Sequence, residues 1–103
     1  MIIYNTTFHV SEEVERMFLD YIRLQYVPMA TADGIMNNPI LTRVMGSAHD
    51  GGMSYALQMQ AESVKELQKW CLGTGKTLSA RISTHFGNSV VGFTTMMDVI
   101  DIK

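Results

Sequence analysis

A single cysteine, Cys71, stands in this chain of 103 residues. That excludes an internal disulfide and leaves no Cys/His spacing of the kind that ligates zinc, so a buried, unreactive thiol is the expected role. Positive charge is equally sparse. Eight Lys and Arg face ten Asp and Glu, for a formal charge of −2, and no basic cluster breaks the balance. Without such a patch there is no electrostatic footprint for nucleic acid. No apolar run approaches the roughly 20 residues needed to cross a bilayer, so no membrane span is expected. No Lys or Arg precedes the opening Met1-Ile2-Ile3, and Asn5, Thr6 and Thr7 interrupt it at once, which is unlike a secretory leader; a cytoplasmic location is the expectation.

Several kinds of catalytic pattern are missing too. No Ser or Cys stands in a strand-turn-helix elbow, and no carboxylate pair shares one face of a predicted strand. The histidines His9, His49 and His85 do not fall at the i, i+4 interval of a helical metal site. Gly73-Thr74-Gly75-Lys76-Thr77 ends like a phosphate-binding loop, but it follows a helix where that loop follows a strand, and Trp70 occupies the place of the motif's first glycine. A helix break with a solvated lysine is the expected meaning. No cofactor pattern is present.

What the chain does hold is periodicity. Ile2, Tyr4, Thr6, Phe8 and Val10 alternate with Ile3, Asn5, Thr7 and His9, a period of two that predicts a strand with one dry and one polar face. Ser11 caps a helix whose first turn carries Glu12, Glu13 and Glu15 and whose apolar stripe is Val14, Met17, Phe18, Tyr21 and Ile22; Pro28 is expected to stop it. An irregular connector follows, closed by Gly34. Ile40 to Met45 then read as a second strand, turning through Ala48-His49-Asp50-Gly51-Gly52 into a third, in which Met53, Tyr55, Leu57 and Met59 oppose Ser54, Ala56, Gln58 and Gln60. Ser63 and Glu66 form a capping box for a second helix with the stripe Val64, Leu67, Trp70 and Cys71. Gly73 and Gly75 interrupt it before a further stretch bearing Leu78, Ile82 and Phe86. A last strand, from about Ser89 to Ile100, is apolar on both sides, so neither side is expected to be wholly wet.

The order β-α-β-β-α-β predicts one α+β domain over residues 1–103, with an antiparallel four-stranded sheet in the order 4-1-3-2 and helices on one face. Asn5, Thr7 and His9 should then lie beside Gln58 on the bare face, with Arg43 at its border. This polar patch suits a small ligand or a partner sheet as well as it suits plain solvation. RNA-binding domains of this topology stack bases on aromatics at these central positions, and here they hold Asn, His, Ser and Gln. Tyr4 and Tyr55 point the other way, as core tyrosines or as walls of a cavity between sheet and helices. Nine methionines, several times the usual share, suit core filling or an adaptable surface.

The Met1-Ile2-Ile3-Tyr4-Asn5 opening, the connector from Pro28 to Gly34 and the ending Gly92-Phe93-Thr94-Thr95-Met96-Met97-Asp98 resemble a short bacterial family known as a domain of unknown function. More broadly, the chain resembles the dimeric α+β barrel group, in which two ferredoxin-like sheets meet face to face. That likeness implies a homodimer, and a function among ligand-binding modules, cofactor-free monooxygenases and small isomerases. The oxygenase arrangement of Asn, Trp and His around one cavity is not evident. The expectation is therefore a non-catalytic ligand-binding or accessory module, with an enzyme acting on a small aromatic compound as the alternative.

Overall fold

Ten residues of strict alternation build the strand at the centre of the fold. In a computed structural model, which describes residues 1–46 and 51–103, β1 spans Ile2–Ser11 and pairs on both sides. Its neighbours are β3 (Gly52–Ala61) and β4 (Val90–Asp98); β2 (Asn37–Arg43) pairs with β3. Every pairing is antiparallel, and the order β2-β3-β1-β4 is the expected one. The fold is an α+β, ferredoxin-like sandwich. The expected turn at residues 48–50, with His49, falls outside the described residues; Gly51 beside it holds φ +76°. Strand β2 stops at Arg43, short of Met45, and a bulge between Asn37 and Ile40, where Asn38 takes φ 53°, offsets its register.

Two helical runs cover one face. The first comprises a short 3-10 turn, α1 (Glu15–Tyr21), a π-helical turn (Ile22–Tyr26) and α2 (Val27–Ala30). The second comprises α3 (Val64–Trp70), a π-helical turn (Cys71–Gly75) and α4 (Lys76–Phe86). Pro28 therefore does not end the first run, and Gly73 and Gly75 do not break the second. The reason lies in the spacing of the buried residues. Phe18 and Tyr26 are eight apart, as are Trp70 and Leu78, and all four are buried. Eight α-helical steps overshoot whole turns by about 80°, whereas seven fall about 20° short. One extra residue in a π turn absorbs the difference and keeps both stripes on the sheet. Val27 N–H accordingly bonds the carbonyl of Ile22, and Lys76 N–H that of Cys71. Pro28 follows a turn where the α ladder is already interrupted, which tolerates its missing donor.

The core lies between the sheet's inner face and these runs. Trp70, only 1% exposed, donates its indole N–H to the Ala30 carbonyl at 2.9 Å, tying the second run to the end of the first. Phe8 meets Phe18 edge to face at 5.2 Å, and Phe18 meets Phe86 at 6.0 Å. Ser63 Oγ accepts the Glu66 amide at 3.2 Å, as its capping motif requires. The methionines divide: Met36 and Met59 are core, whereas Met17, Met45, Met96 and Met97 are exposed. Among the described residues, no helix is long and apolar enough to cross a membrane.

Candidate functional site

Strand parity decides which side chains share the bare face. The even positions of β1 are the more buried ones and face the helices, which leaves Ile3, Asn5, Thr7 and His9 outward. The β1–β3 register sets Asn5 opposite Gln58, Thr7 opposite Ala56 and His9 opposite Ser54. Four of the sequence-derived candidates, Asn5, Thr7, His9 and Gln58, are thereby gathered into one polar strip along the two central strands. Asn5 Nδ2 donates to Thr7 Oγ1 at 3.2 Å, and His9 Nδ1 lies 3.4 Å from Ser54 Oγ. Gly52 makes room for the imidazole, since a Cβ there would come within 2.8 Å of His9 Nε2.

Apolar side chains flank the strip. On β4, Val91, Phe93 and Met97 pair with His9, Thr7 and Ile3, so they share the outer face; they are 55, 66 and 42% exposed. Exposed Ile40 of β2 pairs with Gln58 on the opposite edge. The face is thus polar down the middle, with apolar residues along its margins interrupted by Thr95 on β4 and Thr42 on β2. Contrary to the expectation that neither side of the last strand is wholly wet, a single chain leaves every β4 residue after Val90 exposed, with Met96 on the helix-facing side 56% exposed.

Arg43 does not belong to this set. Its register partner is Tyr55, which faces the helices, so Arg43 lies on the opposite side of the sheet from Asn5. A one-residue change of parity moves a side chain from one face to the other, and the bulge in β2 hides that parity from the sequence. The guanidinium instead stands 5.7 Å above the Tyr55 ring. Tyr55 Oη donates to Glu15 Oε2 at 2.6 Å, and burial, reinforced by Glu15, raises its phenol above the ordinary range while Arg43 pulls it partly back.

Tyr4 and Tyr55 are packing residues here. Tyr4 meets Trp70 edge to face at 5.1 Å, and Tyr55 lies against Phe18. Among the described residues, clefts open at other places, and neither tyrosine lines those described below. Two flank the end of β1 and β3, near Glu62. Two others lie on the helical layer and share His85, whose ring lies tilted at 52° to that of Tyr21 with the centroids 4.9 Å apart. That contact joins residues far apart in sequence on two helices, so no local motif announces it. Among the described residues, no three His, Cys, Asp or Glu side chains converge as metal ligands.

The fold is shared with solved structures of very different sequence. An ethyl tert-butyl ether D (EthD) family protein from Bacillus halodurans is 14% identical, with TM-score 0.71 over 97% of this chain and 100% of that one. A protein described as an antibiotic biosynthesis monooxygenase is 15% identical, with TM-score 0.67 over 98% and 100%. A dimeric ferredoxin-like protein from an uncultured marine organism is 10% identical, with TM-score 0.67 over 98% and 96%. No curated protein matches the sequence. Residues 1–100 match the family described as a domain of unknown function, DUF4286, and the chain belongs to that family.

Proposed function

We propose that this chain is a single-domain, cytoplasmic homodimer that serves as a non-catalytic ligand-binding or accessory module, with the outer sheet face of one copy meeting that of the next. The observation that carries this reading is Phe93. It is two-thirds exposed on the outer face of an edge strand, next to Val91 and with Met97 beyond Thr95, beside a polar strip that a partner sheet would cover. Large apolar side chains grouped on a sheet face mark an interaction surface. Four strands about 4.8 Å apart, seven to ten residues long at about 3.3 Å per residue, offer a projected face of roughly 570 Å². With side-chain relief added, that approaches the ~800 Å² per partner of a standard interface. The dimeric description of the marine ferredoxin-like protein supports a homodimer. In the dimer Asn5, Thr7, His9 and Gln58 of both copies face each other, ready to hydrogen-bond across the interface or to a small ligand held there. Light scattering on Phe93→Lys tests this: the variant runs as a folded monomer if the face is the interface, and keeps the parent's mass if it is not.

A second reading, a cofactor-free monooxygenase- or isomerase-like enzyme acting on a small aromatic compound, draws support from the likeness to the antibiotic biosynthesis monooxygenase. It requires room beside Tyr4 and Tyr55, where the described side chains pack closely. Oxygen consumption with electron-rich phenols, abolished in His9→Ala or His85→Ala at unchanged stability, would favour it over the binding module.

A further inference from the structure

The helical layer carries a second candidate site, on the side of the molecule opposite the outer sheet face and independent of any dimer formed there. A cleft of about 250 Å³ runs between α1 and the end of α4. Its walls include Met17, Leu24 and Phe86, and Met17 and Leu24 are left exposed although the core lies directly beneath. Tyr21 forms the floor, held edge to face against Phe86 at 5.6 Å and beneath the His85 ring.

Tyr21 is what distinguishes this cleft from a chance groove. The residue is only 6% exposed, yet its hydroxyl makes no hydrogen bond among the described residues. Among the described residues, no fully enclosed side-chain nitrogen or oxygen lacks a partner, so the Tyr21 hydroxyl must be the part that reaches the surface, at the cleft it lines. A phenol whose ring is buried and whose hydroxyl opens into an apolar cleft is wetted there, and an acceptor on a ligand would take the place of that water. Burial raises its pKa, which keeps it protonated and able to donate, while the positive field of Arg81 acts on the same phenol.

An adjoining cleft of about 470 Å³ shares His85 and is lined by Lys76, Arg81, Thr77 and Thr84, with no carboxylate among its lining residues. The one carboxylate in the first cleft, Asp20, is 3.5 Å from Arg23. The apolar, aromatic-walled cleft therefore borders a cationic face of α4 at His85, which lines both, and Arg81 on that face is near enough to act on the Tyr21 phenol.

We propose that the two clefts form one binding site for a flat aromatic compound carrying a single anionic group, a carboxylate or a phosphate. The ring lies against Met17, Leu24 and Phe86. The anion accepts the Tyr21 hydroxyl proton in a hydrogen bond and faces Arg81, with His85 at the junction.

Titration of the whole protein with 2-naphthoate, 2-naphthyl phosphate and uncharged 2-naphthol, followed by amide and side-chain NMR shifts, tests the site. Saturable shifts at Tyr21, Leu24, His85 and Phe86 are expected with one or both anions, and the stronger of the two identifies the anionic group. Naphthol should bind about tenfold more weakly, as should the preferred anion to Arg81→Gln, the loss of one charge-assisted contact at a partly exposed site. Tyr21→Phe should weaken the anion several-fold without unfolding the chain. Shifts that are absent, that fall elsewhere, or that are as strong for naphthol or for Arg81→Gln would overturn the assignment. None of these outcomes depends on the state of the outer sheet face.

Discussion

Gly75 lies so close to the indole of Trp70 that a Cβ on it would fall 2.6 Å from Cζ3 and 2.9 Å from Cε3. The indole cannot retreat, because it is buried and hydrogen-bonded to the Ala30 carbonyl. Gly73, in the same π turn, has open space where its Cβ would be. The two glycines should therefore respond to alanine with opposite signs. Gly75→Ala forces a core ring from its position, at about 1–3 kcal/mol, which exceeds the roughly 1 kcal/mol that alanine returns in helix propensity. Gly73→Ala meets no clash and keeps that gain. Urea unfolding should show a lowered midpoint for the first and a raised one for the second.

The Tyr55–Glu15 hydrogen bond joins the sheet to the start of α1. Tyr55→Phe should cost about 1 kcal/mol, below the roughly 1.5–3 kcal/mol of a bond to a charged group, because half-buried Glu15 can recover water. Arg43→Ala removes the contact above the same ring, for about 0.5–1 kcal/mol. Since Arg43 faces the helices, it should leave association through the outer face unchanged. Thermal melts and light scattering on both variants check the two halves of this expectation.

Stability should fall at alkaline pH. Burial raises the phenols of Tyr26, Tyr21 and Tyr55 and the thiol of Cys71 above their ordinary ranges, most strongly for Tyr26. The folded chain holds these protons to higher pH than the unfolded chain does. As pH rises past about 9 to 10, the unfolded state binds fewer protons, and stability declines. Below that range these groups impose no slope. Melting temperatures from pH 8 to 11 should drop progressively, and Tyr26→Phe should make the drop shallower; a flat profile to pH 11 would contradict the assignment.

The parts of this fold legible in the sequence are those where one local rule dominates. In β1 and β3 the alternation of period two is unbroken, so the outward placement of Asn5, Thr7, His9 and Gln58 follows from counting. In β2 it is not. Ile40, Leu41, Thr42 and Arg43 show no clean alternation, and the bulge before Ile40 shifts the pairing, so the face of Arg43 depends on a register that only the folded sheet defines. Likewise Pro28, Gly73 and Gly75 read as helix breakers, yet the eight-residue steps from Phe18 to Tyr26 and from Trp70 to Leu78 call for a π turn, and packing supplies it. The pairing of Tyr21 with His85 comes from the way two helices cross the same sheet, a relation carried by no local pattern.

Sedimentation equilibrium of the unaltered protein at micromolar concentration addresses self-association through the outer sheet face most directly. The expected mass is twice the 11.6 kDa of one chain, falling to one chain in Phe93→Lys. A single 11.6 kDa species for the unaltered protein would contradict the account.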